Sequence, residues 1–133
     1  MAATKVLDSW ALLRYLEQEP GNEKIIDLLE KAVESSRPLL MSIVNWGEVY
    51  YQVVRRFGEG KAQEIEQLIQ TLPITLVEAN KELTREAARI KATKRIAYAD
   101  CFAIAIARLN KAELYTGDPE FKVVEKEMKV AWL

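Results

Sequence analysis

The run IAYADCFAIAIA, from Ile96 to Ala107, contains one charged residue, Asp100. Read as a helix, it places Ile96, Ala103, Ile104 and Ala107 on the face of Asp100 by the three- and four-residue spacing rule. Such a face packs against a core, so the fold must bury this helix and still provide for its carboxylate. An unpaired buried charge costs several kcal/mol or more, and the group then protonates or takes a partner. No lysine or arginine lies within one turn on that face. Asp100 fits neither a helix cap nor a charged face, so its counter-charge is expected from elsewhere, and a metal ion is one candidate.

Around this helix the chain alternates β-like and helical segments. Strand-like runs are KVL (Lys5 to Leu7), LLMS (Leu39 to Ser42), ITLV (Ile74 to Val77), ELYT (Glu113 to Thr116) and KVAW (Lys129 to Trp132). Helical spacing covers Ser9 to Gln18, Ile25 to Val33, the stretch after LLMS through Arg56, Lys61 to Leu72 and Asn80 to Lys91. Gly58 reads as a helix stop, and Pro119 opens a short helix. The alternation predicts one α/β domain over residues 1–133, with a central, mostly parallel five-stranded sheet flanked by helices on both faces. Ligands of such sheets sit beyond the carboxyl ends of the strands, near a switch in strand order. Asp8 follows KVL and Asp118 follows ELYT, so both fall there.

Both also read as helix caps, Asp118 especially because Asp-Pro suits a helix start. Glu48 lies in SIVNWGEVYYQVV among apolar and neutral residues, and reads otherwise as an exposed glutamate on an amphipathic helix. Two carboxylates at strand ends and two on helices that lean over those ends would repel one another. Their convergence requires a cation or raised pKa values.

The chain has no histidine and one cysteine, Cys101. That excludes Ser-His-Asp and Cys-His catalysis, thiolate zinc sites and internal disulfides. A bound metal is therefore a hard, oxygen-liking cation, Mg2+ or Mn2+. One or two such ions would activate water and hold a phosphate, the arrangement that hydrolyses phosphodiesters. A net charge of −1 argues against a protein that coats nucleic acid through bulk positive charge. No apolar run approaches a membrane span, and Lys5 and Asp8 precede any long apolar stretch. The expectation is a cytoplasmic protein without leader or membrane anchor.

The segments VLDSWALLRYL, SIVNWGEVYY, IAYADCFAIAIA and YTGDPEF resemble, in order and spacing, those of the PIN-domain nuclease family. The likeness is strongest to the short VapC-like toxins of type II toxin–antitoxin pairs and spans nearly the whole chain. By that resemblance Asp8, Glu48, Asp100 and Asp118 match the acidic catalytic and metal positions. Ser9, Asn45 and Thr116 match polar positions that support them. It implies a Mg2+- or Mn2+-dependent endoribonuclease that uses metal-activated water on RNA, forms a homodimer and is inhibited by a small cognate antitoxin. Trp10 departs from the pattern, since many members carry a small residue there, and it is expected to narrow the site or alter substrate entry.

Arg14, Arg55, Arg56, Lys94 and Arg95 are candidate phosphate contacts, although solvated surface charge is the usual fate of such side chains. Trp46, Tyr50 and Tyr51 suit either a partner interface or core packing of their helix. The other function class consistent with the chain is a non-catalytic PIN-fold interaction module. A receiver domain is disfavoured because Glu78-Ala79, and no aspartate, follows ITLV. A haloacid-dehalogenase site is disfavoured because position 10 is tryptophan where a second aspartate is needed.

Overall fold

A computed structural model of the chain describes residues 4–18 and 20–133. The reading that no leader precedes Lys5 concerns residues 1–3 and lies outside that range. The five strands are β1 (Lys5–Leu7), β2 (Leu39–Ser42), β3 (Ile74–Val77), β4 (Glu113–Thr116) and β5 (Val130–Trp132). They form one sheet in the order β3-β2-β1-β4-β5, and every neighbouring pair is parallel. The helices are α1 (Ser9–Glu17), α2 (Asn22–Ser35), α3 (Ile43–Phe57), α4 (Glu59–Gln70), α5 (Lys81–Thr93) and α6 (Tyr98–Asn110), with a 3-10 helix over Pro119–Val124.

Strand residues alternate between two cores, as the two-residue period of a strand requires. Val6 and Leu114 face the layer built from α5, α6 and the 3-10 helix. Leu7, Leu39 and Met41 face the layer of α1, α2, α3 and α4. The predicted sheet with helices on both faces is thus the observed one. Helix α6 is apolar on all sides and is buried accordingly, with Cys101 to Ala107 all inaccessible or nearly so. Between α3 and α4 the chain turns at Gly58, whose φ of 91° lies in the region that favours glycine. Among the described residues no helix is long and apolar enough to cross a membrane.

The chain builds outward from β1, first through β2 to β3 and then through β4 to β5. The strand order therefore reverses between β1 and β4, and the carboxyl ends of those strands flank the crevice where such sheets bind ligands. Core integrity on the α6 side rests on residues such as Ile104, which is fully buried. Ile104→Ala should cost about 2–5 kcal/mol in urea unfolding. Leu109→Ala, at a position 47% exposed on the same helix, should cost less than about 1 kcal/mol.

Candidate metal centre

Three strand-to-helix junctions and the start of α6 meet at the sheet's carboxyl edge. Asp8 ends β1 and caps α1: its Oδ1 accepts the Ala11 N–H at 2.9 Å. Its Oδ2 accepts the Thr116 hydroxyl at 2.5 Å, across the β1–β4 pair. The Thr116 oxygen in turn accepts the Asp118 N–H at 3.0 Å, and Asp118 Oδ1 caps the 3-10 helix through the Glu120 N–H at 2.9 Å. The capping readings of Asp8 and Asp118 therefore hold, and both residues still belong to one hydrogen-bonded chain along the crevice.

Glu48 enters from α3. Its Oε1 accepts the Ser9 hydroxyl at 2.8 Å and the Asn45 amide at 3.1 Å. The same Asn45 amide donates to the Ala99 carbonyl at 3.2 Å, which ties α3 to the first turn of α6. Ser9 and Asn45 thus fix where Glu48 stands relative to Asp100. Asn45 is fully buried, and its Oδ1 has no hydrogen-bond partner among the described residues.

Asp100 requires a correction to the sequence reading. Helix α6 begins at Tyr98, so Ile96 lies outside it and Asp100 is in its first turn. The Asp100 N–H donates to Ala97 as the helix starts. This is a position where a carboxylate is favoured by the exposed N–H groups and the macrodipole. The expectation of an apolar setting without a cation survives. Asp100 is 5% exposed, and its carboxylate accepts no hydrogen bond among the described residues. Burial pushes it up to about 8, and the negative charges of Glu48, Asp8, Asp118 and Glu120 push the same way. Burial raises Asp8 to about 7 against the opposing hydrogen bonds from Thr116 and Ala11.

Carboxylate oxygens of Asp100, Asp118 and Glu120 lie within 4.8 Å of one another. Two of these residues were expected from sequence, and Glu120 was not. Its signal was the Asp-Pro-Glu spacing, which sets Asp118 as cap and Glu120 in the first turn of the same short helix. Asp8 and Glu48 stand outside this closest group but act on Asp100 electrostatically. The donor set is all oxygen, and its buried member accepts no hydrogen bond among the described residues. Those features suit a hard divalent cation of the magnesium or manganese kind.

The surrounding candidates divide. Arg56 pairs with Glu17 at 3.0 Å and Lys94 with Glu127 at 2.5 Å, as surface charges do. Arg14 lies over the Trp10 ring and Arg55 over Tyr51. Trp46 and Tyr50 pack against each other and against the α1–α4 core, so for them the core-packing reading applies.

The sequence matches the PIN domain family model over residues 5–127. The chain belongs to the PIN-domain family. Its fold is that of VapC-type proteins solved in toxin–antitoxin systems. A chain of VapBC2 from Rickettsia felis, bound to a fragment of promoter DNA, superposes with a TM-score of 0.77 at 13% identity, covering 97% of this chain and 98% of that one. FitAcB from Neisseria gonorrhoeae gives 0.71 at 19% identity, with 96% of each chain covered. VapC20 from Mycobacterium tuberculosis, a sarcin-ricin loop cleaving toxin, gives 0.68 at 14% identity, covering 90% and 93%. No curated protein sequence matches.

The raised carboxyls set a pH dependence. In the folded, metal-free chain Asp8 and Asp100 keep their protons to about pH 7 and 8, whereas an ordinary aspartate loses its proton near 3.8. Between those values the folded state binds more protons than the unfolded one, so stability falls as pH rises from about 4 to about 8 and then levels. Asp100→Asn should flatten that slope in chelator-treated protein. It should also exceed the parent at pH 8 by at least about 1 kcal/mol in urea unfolding. Equal slopes for parent and variant would contradict the electrostatic picture.

Proposed function

We propose that this chain is a Mg2+- or Mn2+-dependent endoribonuclease that hydrolyses RNA phosphodiester bonds, and the toxin of a toxin–antitoxin pair. The observation that carries the reading is Asp100, a buried carboxylate with no donor among the described residues, facing other carboxylates at the β1–β4 switch point of a PIN domain. Asp100, Asp118 and Glu120 would hold the cation, with Asp8 and Glu48 completing the acidic wall. A bound cation of this kind lowers the pKa of water and neutralises charge on a phosphodiester.

The protein's own residues have separate tasks. Thr116 orients Asp8 and, through its acceptor side, the amide of Asp118. Ser9 and Asn45 hold one oxygen of Glu48 and leave the other uncommitted among the described residues. Asp100 must lose its proton to bind a cation, so metal affinity should rise with pH toward 8. Water needs no histidine base here: carboxylates at this edge are placed to accept a proton as the attack proceeds.

The toxin role rests on the likeness of fold to chains in VapBC and FitAB complexes. A groove of mixed lining between α1, α2 and α4, with Leu16, Ile26, Leu29 and Ile65 beside Glu30 and Lys61, suits the antitoxin partner that this role requires. A homodimer in the cytoplasm completes the proposal.

The test is cleavage of RNA by the purified chain with magnesium or manganese. Chelator should abolish it, and Asp8→Asn and Asp100→Asn should each lower the rate at least about 100-fold, a loss of roughly 2.7 kcal/mol or more in transition-state stabilisation. Cleavage that survives both substitutions sinks the assignment. A folded protein that binds neither ion points instead to the non-catalytic interaction module.

A further inference from the structure

Gly117 lies between two residues of the acidic crevice, and the side-chain position it leaves empty points at Trp10. A methyl group there would come within 2.1 Å of Cη2, 2.4 Å of Cζ2 and 2.5 Å of Cζ3 of the indole. Had the approach been edge-on to Cη2, its ring neighbours would be much farther away than Cη2 itself. The near-equal distances place the Gly117 backbone on the face of the ring. The other four glycines would meet nothing within 4 Å, and Gly117 is not among the positive-φ glycines. Its backbone conformation therefore does not require glycine. The indole does.

Trp10 is itself held. It packs against the α1–α4 core, and the Arg14 guanidinium lies 4.6 Å from its ring centre. Three consecutive residues at the start of α1 thus reach three parts of the crevice. Asp8 bonds Thr116, Ser9 bonds Glu48, and Trp10 presses on Gly117.

We propose that Trp10 is a positioning residue for the metal centre: its indole sets the Thr116–Gly117–Asp118 turn, and so where Asp118 and Glu120 stand relative to Asp100. This rests on the metal-site reading above. A methyl at position 117 must open the gap from 2.1 Å to an ordinary contact of 3.4 Å or more by moving the ring or the turn. The turn is tied on both sides of Gly117 through the Thr116 oxygen, which donates to Asp8 and accepts from Asp118. Moving it disturbs one or both bonds, whereas metal–oxygen distances tolerate only about 0.2 Å.

The experiment is a double-substitution cycle with Gly117→Ala and Trp10→Ala on the purified full chain. Manganese affinity, the amide resonances of Asp118 and Glu120 in metal-free protein, and urea unfolding are read for all four proteins. Gly117→Ala should weaken manganese binding roughly 10- to 100-fold and displace both resonances. Adding Trp10→Ala should restore both readouts to those of Trp10→Ala alone. Losses that add instead of cancelling, or a folded Gly117→Ala with parental affinity and resonances, overturn the proposal. If Gly117→Ala does not fold, Trp10→Ala alone decides: unchanged resonances and affinity overturn it, and displaced resonances with weakened binding at an unchanged urea midpoint support it. A parent that binds no manganese would sink the nuclease reading instead, and the metal-free resonances would still decide whether Trp10 sets the turn.

Discussion

The carboxylate of Asp100, nearly buried and accepting no hydrogen bond among the described residues, is the constraint around which the crevice is organised. Its neighbours are provided for: Asp8 has two donors, Glu48 has two on one oxygen, and Asp118 has one. Asp100 has only its place in the first turn of α6, where the helix end carries about half a positive charge. Four carboxylates act against that half charge. Burial, the larger cause, and this repulsion together raise the carboxyl to about 8. The residue cannot retreat, because Cys101 to Ala107 behind it are locked between the sheet and α5. Core packing therefore holds a repulsive arrangement in place, and a divalent cation would relieve it by supplying positive charge.

The polar residues around the cluster make that arrangement rigid without neutralising it. Asn45 spends its amide on Glu48 and on the Ala99 carbonyl, leaving its oxygen buried and unpaired among the described residues. Turning the amide around would face its oxygen toward two acceptors, so the orientation is fixed by its partners. Thr116 does the corresponding work on the other side, since one hydroxyl both donates to Asp8 and accepts from the Asp118 amide. These bonds join α1, α3, α6 and β4, so the relative placement of the carboxylates is inherited from the fold.

Much of this was legible in the sequence because two periodicities are strongly written. All five strand segments follow from the sequence, as parallel strands are short apolar runs bounded by turn residues. The sheet-edge location of Asp8 and Asp118 followed from the alternation alone. What failed was local. The run from Ile96 to Ala107 is continuous in hydrophobicity but not in backbone, since Ile96 is buried before the helix begins. Without the helix start, the helpful end of the macrodipole beside Asp100 was invisible. Glu120 was missed for a similar reason: an exposed glutamate after a proline looks like solvent-facing charge until the 3-10 helix folds it back beside Asp118.

The structure also shows that structural and functional readings of one residue need not compete. A carboxylate has two oxygens and about four acceptor positions. Asp8 spends one oxygen on capping α1 and the other on Thr116, and Asp118 caps the 3-10 helix with Oδ1. Capping is therefore the means by which each is held at its strand end, not an alternative to a role there. Trp10 and Gly117 extend the same economy to apolar contacts. An aromatic ring beside an acidic site looks from sequence like an obstacle to substrate, yet its face is set against the backbone between Thr116 and Asp118. A tryptophan at position 10 and a glycine at position 117 thus form one steric unit, in which the ring leaves no room for a side chain at 117.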